Sequence, residues 1–193
     1  APSGRKMFYS AFREGIRAGK ISVLISLRGR LPAMTATTEM REGVMYVKML
    51  GGFSITYNGK VIVGSSKSSI SQNNSLLQIL IHSREKGVTR DSLEEFLFAD
   101  REVDNAHHSL RSVIYNAKKI FEKAGLPKIN YIISEKNVFY WTDQIEVEED
   151  ALEFEKAYLQ AKQCKDEEER LQLYLKAVFQ YSGEFLPMQA GSV

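Results

Sequence analysis

The stretch Val103 to Ala124, VDNAHHSLRSVIYNAKKIFEKA, constrains the fold of this chain more than any other. Its apolar residues fall at Val103, Ala106, Leu110, Val113, Ile114, Ala117, Ile120, Phe121 and Ala124. That spacing predicts an amphipathic helix of roughly six turns, because a 3.6-residue period places those side chains on one stripe. Asp104 or Asn105 stands where an N-cap is needed, and Gly125 followed by Pro127 stops the helix. The opposite face carries Asp104, His108, Arg111, Ser112, Tyr115, Lys118, Lys119 and Glu122, with His107 on its flank. One face suits a core, while the other offers cations, hydrogen-bonding groups and an aromatic hydroxyl. A helix that reads base edges in the DNA major groove needs that division. An ordinary helix with a solvated outer face has it too. The flanking sequence therefore decides.

Ahead of the helix, Met45 to Leu50, Phe53 to Tyr57 and Lys60 to Val63 read as three strands of a small antiparallel sheet. Asn58-Gly59 sits between the last two, and an Asn-Gly pair suits a type I′ turn, whose central residues both need positive φ. A serine-rich stretch, Gly64 to Asn74, leads into a helix from about Gln72 to Glu85 with Leu76, Leu77, Leu80 and Ile81 inward. Thr89 caps a second helix, Arg90 to Ala99, with Asp91 in the favourable first turn. After the long helix, Ile129 to Ser134 and Val138 to Thr142 read as strands joined by Glu135-Lys136-Asn137. Three strands, three helices and a terminal hairpin predict an α+β fold: a winged helix-turn-helix with an N-terminal antiparallel sheet and a C-terminal β-hairpin wing. In that arrangement the third helix enters the major groove, and Lys136 at the wing tip reaches a backbone or the minor groove.

VKMLGGFSITYNGKVI, LLQILIHSREKGVTRDSLEEFLFAD and NAHHSLRSVIYNAKKIF, in that order, resemble the OmpR/PhoB-type DNA-binding domain. They are similar above all to its version in bacterial transcriptional activators of the antibiotic-regulatory class, over about residues 46–143. Three positions depart from that pattern. Phe98 stands where a tryptophan is usual, Asn116-Ala117-Lys118 replaces an Arg-Leu-Arg-like step, and Asn137 to Phe139 stands for a Gly-aromatic pair in the wing. Farther on, DALEFEKAYLQA and YLKAVFQYSGEFLP resemble the start of the bacterial transcriptional activator domain, a tetratricopeptide-like helical repeat. The resemblance implies double-stranded DNA as partner, a homodimer and a contact with RNA polymerase.

The acidic residues 144–182 themselves predict two helices. Asp150 and Glu153 fit a capping box. Leu152, Phe154, Ala157, Tyr158 and Ala161 turn inward from the first helix, and Leu171, Tyr174, Leu175, Val178 and Phe179 from the second. One such unit cannot bury its face alone. With Phe185, these residues point to dimerisation or partner binding. The chain thus divides into a basic N-terminal extension and linker, 1–44, a winged-helix domain, 45–143, and the start of an activator domain, 144–193, cut from a larger protein. Phe8, Phe12 and Ile16 mark a basic amphipathic helix in the extension, and Ile21 to Leu27 a short strand.

Charge follows the same division: +5 over residues 1–44, +3 over 45–145 and −6 over 146–193. The positive middle is a modest electrostatic footprint for a nucleic-acid binder. No apolar run approaches a membrane span, so no membrane partner is expected. The single cysteine, Cys164, cannot form an internal disulfide, and a reducing cytoplasm fits best. No catalytic constellation and no metal-ligand spacing stand out: His107 and His108 are adjacent, and His82 and Cys164 are distant. The expected function is a DNA-binding transcriptional regulator, an activator, not an enzyme, with no cofactor. The DNA-binding candidates are His107, His108, Arg111, Ser112, Tyr115, Lys118, Lys119 and Lys136. Arg111 is the main candidate for reading bases, the lysines for touching phosphates, and protonation of the two histidines for a small gain in affinity. The alternative is a protein-interaction module on a winged-helix scaffold that has lost DNA binding.

Overall fold

The computed structural model describes residues 40–64, 71–98 and 105–183. The expectations for residues 1–39, the serines at 65–69, Val103, Asp104 and Phe185 lie outside them. In order, the elements are β1 (Val44–Lys48), β2 (Ser54–Tyr57), β3 (Lys60–Val63), α1 (Gln72–His82), β4 (Val88–Thr89), α2 (Arg90–Phe98), α3 (Ala106–Ala124), β5 (Ile132–Glu135), β6 (Val138–Trp141), β7 (Glu146–Glu149), α4 (Asp150–Gln163) and α5 (Glu167–Gln180).

The leading sheet has the order β3-β2-β1-β7 and the second sheet the order β4-β6-β5. β1 pairs antiparallel with β2, and β2 with β3 through a turn in which Asn58 and Gly59 have φ of 47° and 72°. The three expected strands are therefore present. The fourth is an addition: β7 lies parallel to β1, from Val44 opposite Glu146 to Val47 opposite Glu149. Its sequence, Glu-Val-Glu-Glu, reads as acidic loop or helix start, and only its place beside β1 makes it a strand. Arg41 bridges Glu146, at 2.6 Å, and Glu148 across that exposed edge.

α1 is the central helix. Every residue from Ser75 to Ile81 is buried, as expected of a helix enclosed on all sides. It ends at His82 rather than at Glu85, where the Ser83 amide donates back to Ile79. α3 lies across α1 and α2 and buries Leu110, Val113, Ala117 and Phe121. Asn105 caps it by accepting from the His108 amide at 2.9 Å. Gly125, with φ of 76°, closes it, and the Leu126 amide reaches the Phe121 carbonyl at 3.2 Å, the Schellman pattern. Beneath α3, Phe121, Tyr131 and Trp141 form an aromatic cluster with ring centroids 4.7 to 5.8 Å apart. Burial pushes the Tyr131 hydroxyl up to about 12, and it donates to the Pro127 carbonyl at 2.8 Å. The Ile129 amide turns back to that same carbonyl, so β5 starts at Ile132 and not at Ile129.

The start of α4 corrects the capping-box expectation. The residue before the helix, Glu149, makes no side-chain cap. Asp150 instead reaches across to the end of β1, where its two carboxylate oxygens accept from the Met49 and Leu50 amides at 2.7 and 3.0 Å. Burial, the dominant influence, pushes its carboxyl up to about 6 against the pull of those amides. Beside it, the buried Glu149 carboxylate holds His82 Nδ1 at 2.5 Å and Arg84 Nη1 at 2.9 Å. These contacts fasten the C-terminal end of α1 to β7. α5 does carry the expected kind of cap: the Asp166 carboxylate accepts from the Glu169 amide at 2.8 Å, with Glu167 to Glu169 in the first turn. Between the two helices Phe154, Ala157, Ala161, Ala177 and Val178 are buried. Leu171, expected inward, is 55% exposed. The inward stripe of α5 passes through Ala177 and Val178, and Tyr174, Leu175 and Phe179 flank it, half-buried. No helix among the described residues is long and apolar enough to cross a membrane.

Candidate nucleic-acid interface

The outer face of α3 divides into two halves of different character. In the first half, His107, His108, Arg111, Ser112 and Tyr115 are all exposed. Arg111 makes no ion pair among the described residues. Tyr115 is 61% exposed. The Ser112 hydroxyl donates to the His108 carbonyl at 3.3 Å, one turn back, and retains its acceptor lone pairs.

In the second half the cations are engaged. Lys118 is half-buried and donates to the Asn130 side-chain oxygen at 2.9 Å. Lys119 pairs with Glu122 at 2.6 Å, which raises the lysine pKa, and its ammonium lies 5.5 Å from the centre of the Tyr115 ring. Exposed pairs of this kind contribute little and are readily exchanged for another anion. Lys118 would have to leave Asn130 before reaching a phosphate.

The wing is the hairpin β5–β6, and its register runs from Ile132 opposite Trp141 to Glu135 opposite Val138. Glu135 is therefore the last strand residue. The connection has two residues instead of the expected three: Lys136 and Asn137, with φ of 45° and 71°. Lys136 is exposed at the tip. β6 is fixed from its other side by β4, where Val88 faces Phe139 and Thr89 faces Val138.

In the sequence Arg90 is marked only as the first residue of α2, yet it joins the two candidate surfaces. Its backbone amide donates to the Asn137 carbonyl at 2.8 Å, extending the β4–β6 ladder by one bond. Its Nε donates to the Asn137 side-chain oxygen at 2.8 Å. Its Nη1 lies 3.2 Å from His107 Nδ1, and the guanidinium sits 5.2 Å from the centre of the Phe139 ring. Arginine only donates, so in this contact the His107 Nδ1 is the acceptor. Glu94 Oε1 lies 3.8 Å from the same His107 nitrogen. The structure thus ties Asn137, the neighbour of Lys136 in the wing turn, and His107, in the first turn of α3, to one side chain. No local pattern marks Arg90 for this role, since its partners are far away in sequence. His82 lies away from this surface, against Glu149.

Three helices followed by a hairpin that returns beside them define a winged-helix protein of the α+β class. No family model matches the chain, and no curated protein matches it. A solved structure does share the fold: Mycobacterium tuberculosis EmbR, in complex with a low-affinity phosphopeptide. The two superpose with a TM-score of 0.59 at 16% identity. The match covers 76% of this chain and 38% of the EmbR chain, so this chain spans well under half of that protein. At that identity the likeness concerns the fold.

Proposed function

We propose that this chain is a DNA-binding transcriptional regulator, an activator rather than an enzyme, that places α3 in the major groove and the wing tip on the adjacent backbone. The observation that carries this reading is the first half of α3. Arg111 and Tyr115 stand exposed on a helix locked into the core by its other face, and Arg90 ties the first turn of that helix to the wing turn that bears Lys136. Arg111 is then the base-reading residue, with His108, Ser112 and Tyr115 beside it. His107, Lys119 and Lys136 face phosphates, and Lys118 does so after exchanging Asn130. The fold shared with EmbR and the OmpR/PhoB-type motifs support the same reading. The α4–α5 pair begins a tetratricopeptide-like repeat that serves oligomerisation or regulation, with a homodimer and RNA polymerase as its partners. Leu159, 46% exposed, and Leu171 supply the apolar contact.

The test is selection of duplexes from a random pool, followed by titration across salt concentrations. A steep fall in affinity with salt is expected, as counterions released from phosphates return. Arg111→Ala relaxes the selected sequence preference by roughly 1–3 kcal/mol, the worth of a bidentate arginine–guanine pair. Lys136→Ala weakens all sequences alike and lowers the salt slope by about one. A chain that retains no duplex at low salt supports the interaction-module reading instead. The engagement of Lys118 and Lys119 within the protein favours that second reading.

A further inference from the structure

The proposal concerns how Lys136 and α3 are held at a working distance, and it rests on the DNA-binding reading above. The wing turn is poorly specified by its own residues. Lys136 and Asn137 both occupy the left-handed region, which a lysine adopts at a cost and an asparagine more readily. The strands on either side are four residues each, and a short hairpin alone is marginal. Something beyond the hairpin must fix its tip.

Arg90 meets that need with three groups of one residue. The backbone amide and Nε both end on Asn137, holding the second turn residue by its carbonyl and its side chain. Nη1 ends on His107, which lies in the first turn of α3. The face of Phe139, the second residue of β6, supports the guanidinium from within the wing. A planar guanidinium spans two acceptors in fixed directions. A lysine ammonium, a point charge on a flexible stem, satisfies either acceptor but does not set the angle between them.

We propose that Arg90 is a positioning residue of the DNA interface, setting the reach between Lys136 on the wing tip and the base-reading face of α3. It makes the two surfaces act on one duplex as a unit. Its contribution therefore differs from that of a cation lying on a phosphate: it depends on the fork shape and is shared with Lys136.

Two measurements on the whole chain test this. The first is a double-mutant cycle with a duplex selected by the parent chain. Lys136→Ala alone is expected to weaken binding about fivefold, and Arg90→Lys about tenfold although the charge is kept. In the Arg90→Lys background, Lys136→Ala then has almost no further effect. Thermal unfolding of each variant separates a misfolded protein from an uncoupled wing. Arg90→Lys with parental affinity, or the full Lys136→Ala loss in both backgrounds, overturns the proposal.

The second measurement needs no DNA. Spin labels on Glu135→Cys and Lys123→Cys, in a Cys164→Ser background, report the distance from wing to α3. The distribution is expected to be narrow with Arg90 and clearly broader with Arg90→Lys. Equal widths overturn the positioning role. If the parent chain selects no duplex, the DNA-binding reading fails, and the spin-label widths alone decide whether Arg90 fixes the wing.

Discussion

Two hairpins in this molecule turn through nearly the same backbone geometry and reach it by different means. Between β2 and β3, Asn58 and Gly59 have φ of 47° and 72°; between β5 and β6, Lys136 and Asn137 have 45° and 71°. The first pair consists of residues that enter the left-handed region easily, so the turn is written in two neighbouring positions. The second pair includes a lysine there, which local preference disfavours by roughly 1–2 kcal/mol. That turn is held instead by Arg90, 47 positions away in sequence from Asn137. Identical local shapes can therefore be encoded locally in one place and by tertiary contacts in another. β7 belongs with the second kind. Its Glu-rich sequence becomes a strand because Glu149 is gripped by His82 and Arg84, and because Asp150 holds the end of β1.

If β7 is held by tertiary contacts, cutting one of them should have the largest effect in the molecule. Arg84→Ala leaves Glu149 buried with half its partners and also removes a bond from Nη1 to the Ile81 carbonyl at 3.0 Å. A loss of about 3 kcal/mol is expected, because an under-compensated buried charge is costly. Adding Glu149→Gln to Arg84→Ala should recover part of that loss. Urea unfolding of the single and double variants measures it, and strictly additive losses would place the grip of β7 elsewhere.

The next effect lies where α1 meets the wing sheet. Gly87 has φ of 69°, and a Cβ there would sit 2.5 Å from the Tyr140 ring and 2.8 Å from Val138 on β6. Gly87→Ala combines backbone strain with a clash and is expected to cost about 2–4 kcal/mol. Gly59→Ala meets nothing within 4 Å of the added carbon and carries the strain alone, about 1 kcal/mol. Chemical unfolding of both variants compares the tertiary site with the local one. Equal losses would mean that contact with the wing contributes nothing at Gly87.

The same distinction explains what could be read from the sequence. The three leading strands, the three helices and the presence of a terminal hairpin rest on periodicity, caps and one Asn-Gly pair, all local signals. So does the division of α3 into a buried stripe and an exposed face, which left Arg111 and Tyr115 outside. β7, the role of Asp150 and the two-residue wing turn were not legible. Each depends on a partner that folding brings from far along the chain: β1, Met49 and Leu50, and Arg90. Arg90 itself was hidden for that reason. The bond from Lys118 to Asn130 is equally hidden, because Asn130 approaches only after the chain has turned at Gly125.

Asp150 offers a test by pH. Its carboxyl is raised to about 6 from an ordinary value of 3.8. Between those values the unfolded chain releases its proton while the folded chain keeps it. Asp150 therefore lowers stability as pH rises from about 4 to about 6, and its effect is constant above that. The full swing is on the order of 2–3 kcal/mol. Asp150→Asn should remove this part of the slope. It should also start from a lower stability, since the amide nitrogen cannot accept from a backbone N–H as the second oxygen does. Unfolding free energies measured from pH 4 to pH 8 for both proteins check this. An unchanged slope in the variant would mean that the two amide bonds already hold the carboxylate ionised.

The smallest effect comes from exchanging the turn residues, and it sharpens the comparison between the hairpins most directly. Gly59→Asn keeps a residue tolerant of positive φ in open space, so it should cost about 0.5–1 kcal/mol. For a domain of this size that lowers the melting temperature by a few degrees. The only tie between that turn and α3 among the described residues runs from Lys60 to the Ala124 carbonyl, at 3.4 Å and at the far end of the helix from Arg111, so DNA affinity should not change. Asn137→Gly is the reverse case. It relaxes the backbone at the second turn position by a similar amount but removes the acceptor for Arg90 Nε, a bond worth about 1 kcal/mol at a partly solvated site. The two contributions nearly cancel, so the melting temperature should stay within about 2 °C of the parent. The wing, however, loses its side-chain tie to the residue that also reaches His107. Affinity for a selected duplex should therefore fall several-fold, and Lys136→Ala should have little further effect in that background. Thermal melts and DNA titrations on the two variants give four numbers. Parental affinity in Asn137→Gly would mean that the wing tip is as locally determined as the Asn58–Gly59 turn.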